Sequence, residues 1–306
     1  MGKYIIRRLV LAIPVLIGVS IIAFMILHLS PGDPAQLLAG EDATQEDIQI
    51  LRERFGLDQP LPVQYFRFIK GMVTGDLMSM KFNEPVLDIV GKRLKNTLLL
   101  SFFAITIAVV VGVVAGVLSA VYRYSLIDYI SSVAALLGVS MPVFWWGLIL
   151  ILFFSVTLRW LPSGGMGGWK TFILPAVVLG TASAGIIARM TRSSMMDVLR
   201  QDYITTARSK GLMNRIIIRR HALRNALIPT VTVIGLQFGY MLAGAVLTES
   251  VFAWPGVGRL LVTSILSRDY PVVQTTLVMV ALTFVLVNLG VDILYAYLDP
   301  RIRYHD

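Results

Sequence analysis

The chain has 306 residues, of which 56% are hydrophobic and 15% are charged, and its formal net charge is +9 at pH 7. Its mean hydropathy of +0.75 exceeds what soluble globular domains usually show, so the composition indicates an integral membrane protein. The sequence contains no cysteine, which excludes disulfides, thiolate metal sites and thiol catalysis.

Six apolar runs are long enough to cross a membrane as helices. About 20 residues span roughly 30 Å of hydrocarbon, and a helix satisfies every backbone polar group internally. The first run ends before a PGDP turn at 31–34, and the sixth carries Asp292 well inside the span. The third contains Pro142, where we expect the helix to tilt or break. The predicted spans are residues 9–29, 98–122, 129–158, 171–188, 226–248 and 271–298.

The long segment between the first two spans, residues 30–97, has local order of its own. Thr44 is a predicted helix N-cap with Asp47 as its capping partner, and Gly56 is the predicted stop of that short amphipathic helix. The stretch 60–77 predicts a second short helix at the membrane surface. The insert either packs as a lid on the outer ends of the spans or offers a docking surface to an outside partner.

The distribution of Lys and Arg predicts the orientation. With a cytoplasmic N-terminus, the short inner segments hold fifteen Lys or Arg, whereas the short outer segments hold four. Cytoplasmic segments near the membrane carry the excess of positive charge. We therefore expect both termini and the loop 189–225 to be cytoplasmic and the insert 30–97 to be extracytoplasmic.

The cytoplasmic loop contains an unusually basic stretch, DYITTARSKGLMNRIIIRRHALRNALIP, at residues 202–229. Between Arg208 and Arg224 it has six Lys or Arg and no acid. Topology accounts for the sign of this charge but not for its arrangement. The segment YITTARSKG predicts a short helix that ends at Gly211, where a left-handed conformation is expected. Small side chains on that helix would let another protein approach closely.

The order TTARSKG, then HAL, then LIP resembles the cytoplasmic loop of permease subunits in binding-protein-dependent ABC importers. The general pattern of that loop is EAA, three residues, Gly, nine residues and I-x-L-P. The chain places residues at the pattern's positions in this way: Thr205 for the Glu, Thr206 and Ala207 for the two Ala, Gly211 for the Gly, Leu223 for the Leu, with His221 and Arg224 departing from the Ile and the Pro.

Other stretches resemble one subgroup of that family, the B-type permease subunits of oligopeptide, dipeptide and nickel importers. They occur in the family's order and cover nearly the whole chain. They are IIRRLVLAIPVLIGVSIIAFMILHLSPGDP at 5–34, FGLDQPLPVQYFRFIKGMVTGDL at 55–77, ESVFAWPGVGRLL at 249–261 and DPRIRY at 299–304.

The resemblance implies an all-α membrane protein with six transmembrane helices and the type I ABC importer permease fold, forming one domain over residues 1–306. It implies a homologous C-type permease, two cytoplasmic ATPases and an extracytoplasmic peptide-binding protein as partners, in a bacterial or archaeal cell membrane. ATP and Mg would be bound by the ATPases, so no cofactor is expected in this chain. The implied coupling residues are Tyr203, Thr205, Thr206, Ala207, Arg208, Lys210 and Gly211.

The pattern of polar residues gives further candidates. No GxxxxGK[ST], HExxH or GxSxG motif is present and the three histidines are scattered, so neither an enzyme nor a metal site is expected. Asp292 is expected to have a structural role, paired with an Arg or with hydroxyl and backbone donors. The basic residues suit contact with anionic lipid headgroups, and no nucleic-acid partner is expected. Candidate pathway residues, which ordinary helix packing would also explain, are Met141, Gln237, Tyr240 and Met241.

Alternatives remain open in the cargo and in the class. A nickel or other small-solute importer would share the fold, although the predicted spans hold a single histidine, His28, and the chain has no cysteine. A secondary transporter would normally show internal symmetry and ionisable groups near the membrane midplane, neither of which is evident. A membrane scaffold would need no coupling segment. Peptide import is therefore the preferred function.

Overall fold

Helices build the fold of the residues that the computed structural model describes. Within that part of the chain, β-structure is limited to one isolated bridge between Met78 and Pro85. The predicted PGDP turn at 31–34 and the family stretch at 299–304 lie outside the described residues. The described residues are 2–29, 35–36 and 43–298.

Long helices alternate with short ones along the chain. In order they are α1 (Gly2–Leu29), α2 (Gln45–Phe55), α3 (Leu61–Thr74), α4 (Val86–Val121), α5 (Leu126–Ser140), α6 (Val143–Leu150), α7 (Lys170–Leu199), α8 (Asp202–Ser209), α9 (Asn214–Ile216), α10 (Leu223–Val251), α11 (Val257–Leu266) and α12 (Tyr270–Leu298). Two π-helical segments extend them: Ile151–Thr157 continues α6, and Ile217–Ala222 joins α9 to α10.

Five stretches of described helix are long and apolar enough to cross a membrane, and a bent pair makes a sixth when it is counted as one span. The pair joins Leu126–Ser140 to Val143–Thr157 with a bend of 110°. Met141, between the two halves, has extended backbone angles, as expected for a residue that precedes a proline. The predicted break near Pro142 is confirmed. The five are Ile6–Ile26, Val86–Val121, Lys170–Leu199, Asn214–Leu242 and Tyr270–Ile293.

Helices α4 and α7 extend furthest beyond the apolar runs that predicted them. The second span was expected at 98–122, but α4 begins at Val86 and includes a charged turn before the apolar run. The fourth was expected at 171–188, but α7 continues through basic residues to Leu199. An apolar run marks the part of a helix that suits hydrocarbon, whereas backbone hydrogen bonding continues until a cap or breaker ends it.

The described residues divide into two compact units. One unit contains Thr97–Pro255 and the described residues from Leu286 onward, and the other contains Gly2–Asn96 and Gly256–Val285. Helices α4 and α12 contribute residues to both. The prediction that residues 1–306 form one transmembrane domain stays a prediction.

Close backbone packing around α7 organises the first unit. Gly112 and Gly116 of α4 lie where a side chain would collide with α7: a Cβ added at Gly116 would be 2.5 Å from the carbonyl oxygen of Ala188. On another side of α7, a Cβ added at Gly185 would be 2.5 Å from the carbonyl oxygen of Ala135 in α5. Small residues at such crossings let helices in a membrane approach closely and gain van der Waals contact.

The insert after α1 begins with the helix that its capping residues predict. The Thr44 hydroxyl accepts a hydrogen bond from the Asp47 amide at 3.2 Å, and the Asp47 carboxylate accepts from the Thr44 amide at 3.1 Å. The Thr44 hydroxyl and amide together hold the pKa of the Asp47 carboxyl below its usual value. Gly56 ends α2 with φ +65°, and α3 follows within the stretch 60–77. Both predicted helices are confirmed.

A buried carboxylate fixes the end of the insert within the second unit. Asp269, in the turn between α11 and α12, is fully buried. It accepts hydrogen bonds from the Ser79 hydroxyl and from the amides of Met80 at 3.1 Å and Lys81 at 3.3 Å. Hydrogen bonds from several donors offset the cost of burying this polar group. The 79–81 turn is thereby anchored to a residue 190 positions later in the chain.

Gly116→Ala tests the close packing of α4 on α7. The new methyl group has no room, so we expect the free energy of unfolding to fall by about 1–3 kcal/mol. Gly91→Ala is the matched control, because Gly91 lies in the same helix with nothing within 4 Å of a Cβ. Alanine there should be neutral or favourable by up to about 1 kcal/mol. Thermal unfolding of the purified chain in detergent measures both, and equal midpoints would contradict the packing described.

Candidate coupling and translocation sites

The predicted coupling segment is a two-turn helix that stands between two long ones. Helix α8 begins after Gln201, whose backbone is extended, and ends at Ser209, with Lys210 as its C-cap. Gly211 follows with φ +77°, a left-handed conformation that favours glycine. The predicted short helix and its stop at Gly211 are confirmed, although their role in coupling stays a prediction.

One face of α8 is buried against the chain's own helices. Ile204 is fully buried and Ala207 is 7% exposed. The expectation that Ala207 presents a small side chain to a partner is wrong, because three-residue spacing puts it on the same inner face as Ile204. The two residues belong to a hydrophobic cluster of Ala120, Met195, Ile204, Ala207, Ile217, Ala222 and Ala226.

The opposite face of α8 is open. The Thr206 hydroxyl donates to the Asp202 carbonyl oxygen at 3.0 Å, and the Ser209 hydroxyl donates to that of Thr205 at 3.1 Å. Because these hydroxyls donate within the helix, Thr206 and Ser209 expose short side chains whose hydroxyl donors are already used. The predicted coupling residues that are exposed are Tyr203, Thr205, Thr206, Arg208, Lys210 and Gly211.

A hydrogen bond ties the start of α8 to α10. The Asn225 side-chain amide donates to the Tyr203 phenol oxygen at 2.9 Å and to the His221 carbonyl oxygen at 3.2 Å. Together with the cluster beneath Ala207, this bond fixes the short helix to the rest of its unit. A force applied to the exposed face of α8 would therefore be transmitted to the long helices.

A bidentate ion pair joins three helices close to α8. The Arg192 guanidinium of α7 donates through Nε at 2.9 Å to Asp128 Oδ1 and through Nη2 at 3.0 Å to Asp128 Oδ2. The same Nε donates to the Ser119 hydroxyl of α4 at 2.9 Å, and the Tyr124 amide donates to Asp128 at 3.0 Å. Asp128 is 4% exposed, so the carboxylate is buried with its partners in place.

Sequence reasoning missed this ion pair. Arg192 entered only as one of the positive charges that set the topology, and Asp128 fell just outside the predicted third span. The two residues are 64 positions apart, and helix propensity does not indicate which neighbours two helices share. The available signal was an acid at the start of one span and an Arg near the end of the next, which antiparallel helices place at similar depth.

The four candidate pathway residues occupy different environments. Gln237 accepts a hydrogen bond from the Ser183 hydroxyl at 2.9 Å, and Tyr240 is 65% exposed. Met141 is half-buried at the break between α5 and α6. Met241 is 3% exposed inside a hydrophobic cluster of its unit, so the structure corrects the expectation of a pathway-facing side chain there. Whether the other three line the pathway stays a prediction.

Glu249 and Asp292 both lie within long helices. Helix α10 continues to Val251, so Glu249 lies inside it, whereas the sequence interpretation ended that span at 248. Glu249 is fully buried and accepts a hydrogen bond from the Thr97 hydroxyl at 2.5 Å. Asp292 is half-buried in α12, and its predicted structural role stays a prediction.

The helical spans, the broken third span and the short helix between two long ones define a class, the multi-span membrane permease. Family comparisons agree. The family "Binding-protein-dependent transport system inner membrane component" matches residues 112–304, and "Binding-prot-dependent transport system membrane comp, N-term" matches residues 1–101. The chain belongs to this family of binding-protein-dependent ABC importer permeases, and the resemblance that its sequence motifs indicated is confirmed.

Curated relatives match over 99% of this chain. The glutathione transport system permease protein GsiC of Escherichia coli (strain K12) is 46% identical over 305 residues, covering 99% of this chain and 100% of the relative. The dipeptide transport system permease protein DppB of Alkalihalophilus pseudofirmus is also 46% identical, with 99% of this chain and 100% of the relative covered. Proteins of this kind are transport subunits, and ATP hydrolysis belongs to separate subunits.

Solved structures show the same fold. The inward-facing MetNI methionine ABC transporter, in its CY5 native crystal form, matches with a TM-score of 0.61 and 21% identity, covering 71% of this chain and 99% of that chain. An amino acid ABC transporter with histidines matches with a TM-score of 0.52 and 19% identity, covering 70% of this chain and 94% of that chain. The predicted type I importer permease fold is confirmed.

Asp128→Asn tests the ion pair. Removing the negative charge leaves the Arg192 guanidinium without its bidentate partner, so we expect a loss of stability on the order of 2 kcal/mol. That is less than for a fully buried pair, because the Arg192 side chain is 30% exposed. Asp197→Asn, an exposed site on α7, is the matched control and should change little. Thermal unfolding in detergent measures the stability of both variants. Equal losses for Asp128→Asn and Asp197→Asn would contradict a stabilising ion pair.

Proposed function

We propose that this chain is a permease subunit of an ATP-driven importer that carries di- or oligopeptides into the cytoplasm. The observation that carries the proposal is the 46% identity, over 99% of this chain and 100% of each relative, to permeases named for glutathione and for dipeptides. Glutathione is itself a tripeptide, so both names fit one class of cargo. Nickel or another small solute is the alternative, and no described feature favours it over peptide.

The proposed assembly and orientation follow from the family and from the charge distribution. The partners are a homologous C-type permease, two cytoplasmic ATPases that bind ATP and Mg, and an extracytoplasmic peptide-binding protein. Both termini and the loop 189–225 face the cytoplasm, and the insert 30–97 faces outside. This arrangement gives the exposed face of α8 to an ATPase.

The proposed mechanism is alternating access driven through α8. ATP binding brings the two ATPases together. Their movement displaces the short helix through which each permease contacts an ATPase, which is α8 in this chain. Because Ile204 and Ala207 pack on the ends of α4 and α7, the displacement reaches the spans directly. The ion pair between Arg192 and Asp128 extends it to α5. ATP shifts the equilibrium because the closed ATPases bind one permease conformation better than the other.

Uptake by the reconstituted transporter tests the cargo. Proteoliposomes that contain both permeases and both ATPases, with the binding protein outside, should accumulate a labelled di- or tripeptide when ATP is inside. Nickel and free amino acids should compete weakly. An excess of nickel that abolishes peptide uptake, or accumulation of nickel in place of peptide, would overturn the peptide proposal while leaving the family intact.

Cysteine labelling tests the orientation. The chain has no native cysteine, so single changes at the exposed positions Gln49 and Ser209 introduce unique sites. A membrane-impermeant maleimide should label Gln49→Cys from outside intact cells and Ser209→Cys only after the membrane is opened. Labelling of both from the same side would rule out the proposed topology.

Thr205→Glu tests the open face of α8. The side chain is exposed, so the change should leave folding and pairing with the second permease intact. A bulky charge at a tight contact should reduce ATPase association and substrate-stimulated ATP hydrolysis at least tenfold, equivalent to about 1.4 kcal/mol. Thr74→Glu, exposed near the end of α3, is the control. Co-purification of the ATPases measures association, and full retention by Thr205→Glu would show that this face is not the contact.

A further inference from the structure

A groove beside α8 combines positive charge with an aliphatic wall. Its volume is about 580 Å³, within the range of small-molecule sites. Arg220, His221 and Arg224 lie at one end together with the Asn225 amide, and Tyr203 of α8 completes that end. No carboxylate is among the described residues that line it. The polar end therefore presents hydrogen-bond donors and positive charge without a competing anion.

The other end of the groove is apolar. Leu227, Ile228 and Val231 line it, and they follow Arg224 at the spacing of one face of α10. Arg224 is the last charged residue before a charge-free run at 225–248. The groove thus crosses the level at which the chain changes from basic to apolar, where a membrane changes from headgroups to acyl chains.

We propose that this groove binds an anionic phospholipid of the cytoplasmic leaflet, with its phosphate on Arg220 and Arg224 and an acyl chain along Leu227 and Val231. A lipid has both parts that the groove matches, an anionic group joined to a hydrocarbon chain. Basic pockets on the cytoplasmic side of membrane proteins bind headgroups of this kind. A soluble phosphate would use the polar end alone and leave the aliphatic wall in water.

Lipid in the groove acts on the coupling helix. Tyr203 lines the polar end and accepts the hydrogen bond from Asn225 that holds α8 to α10. A bound headgroup stabilises the position of α8 in which these side chains converge, and a ligand shifts a conformational equilibrium only through such differential binding. Anionic lipid therefore favours the arrangement of α8 that couples to the ATPase. This regulation rests on the orientation and coupling role given under the proposed function.

The test uses the complete transporter with its ATPases in nanodiscs of phosphatidylethanolamine, with or without phosphatidylglycerol. Native mass spectrometry measures retained phosphatidylglycerol, and substrate-stimulated ATP hydrolysis measures coupling. Arg220→Gln with Arg224→Gln should weaken phosphatidylglycerol retention on the order of 30-fold, from two Arg contacts at the membrane surface, and should remove the stimulation by that lipid. Arg215→Gln with Arg219→Gln removes the same charge outside the groove and should leave both measurements unchanged.

Four outcomes would overturn the proposal. They are unchanged lipid retention in the groove variant, an equal loss in the matched control, an equal loss of hydrolysis with and without phosphatidylglycerol, and stimulation by soluble glycerol phosphate in neutral nanodiscs. An equal loss of hydrolysis with and without phosphatidylglycerol would assign Arg220 and Arg224 to the ATPase contact. Lipid retention is measured without transport, so a transporter that retains the lipid but imports no peptide would contradict the proposed function alone.

Discussion

The rest of the first unit depends on how closely α7 approaches its neighbours. Gly116 of α4 and Gly185 of α7 leave no space for a side chain, so backbone packs directly on backbone at these crossings. Helices in a membrane gain little from the hydrophobic effect between them, and such contacts supply much of the attraction. Because α7 leads into α8 within three residues, the same packing sets where α8 stands.

Two buried carboxylates, those of Asp128 and Asp269, are held in local hydrogen-bond networks. The Asp128 carboxylate accepts hydrogen bonds from the Arg192 guanidinium, the Ser119 hydroxyl and a backbone amide. The Asp269 carboxylate accepts hydrogen bonds from one hydroxyl and two backbone amides. A buried charge that lost one partner would be costly, so each network specifies one arrangement of the elements it joins. The first joins three helices next to α8, and the second anchors the insert within its own unit.

Features set by residues within one turn could be predicted from the sequence, whereas features set by packing between helices could not. Thr44 with Asp47, Pro142 and Gly211 act on their own backbone or within one turn, so the sequence indicates both the residue and the structure. The inward direction of Ala207 and Met241 depends on which helices pack beside them, and no short pattern carries that information. The sequence therefore indicated the short helix α8 but not that Ala207 lies on its buried side. The Arg192–Asp128 pair required the tertiary arrangement itself.

The sharp bend at Pro142 also limits what can surround it. Ending one helix and starting another leaves carbonyls of the last turn of α5 and amides of the first turn of α6 without partners inside either helix. Hydrocarbon offers such groups no hydrogen bonds, and each one left bare costs several kcal/mol. The neighbourhood of the bend must therefore contain water or protein polar groups. A stretch of sequence that is almost wholly apolar thus marks a place in the bilayer that lipid tails alone cannot fill.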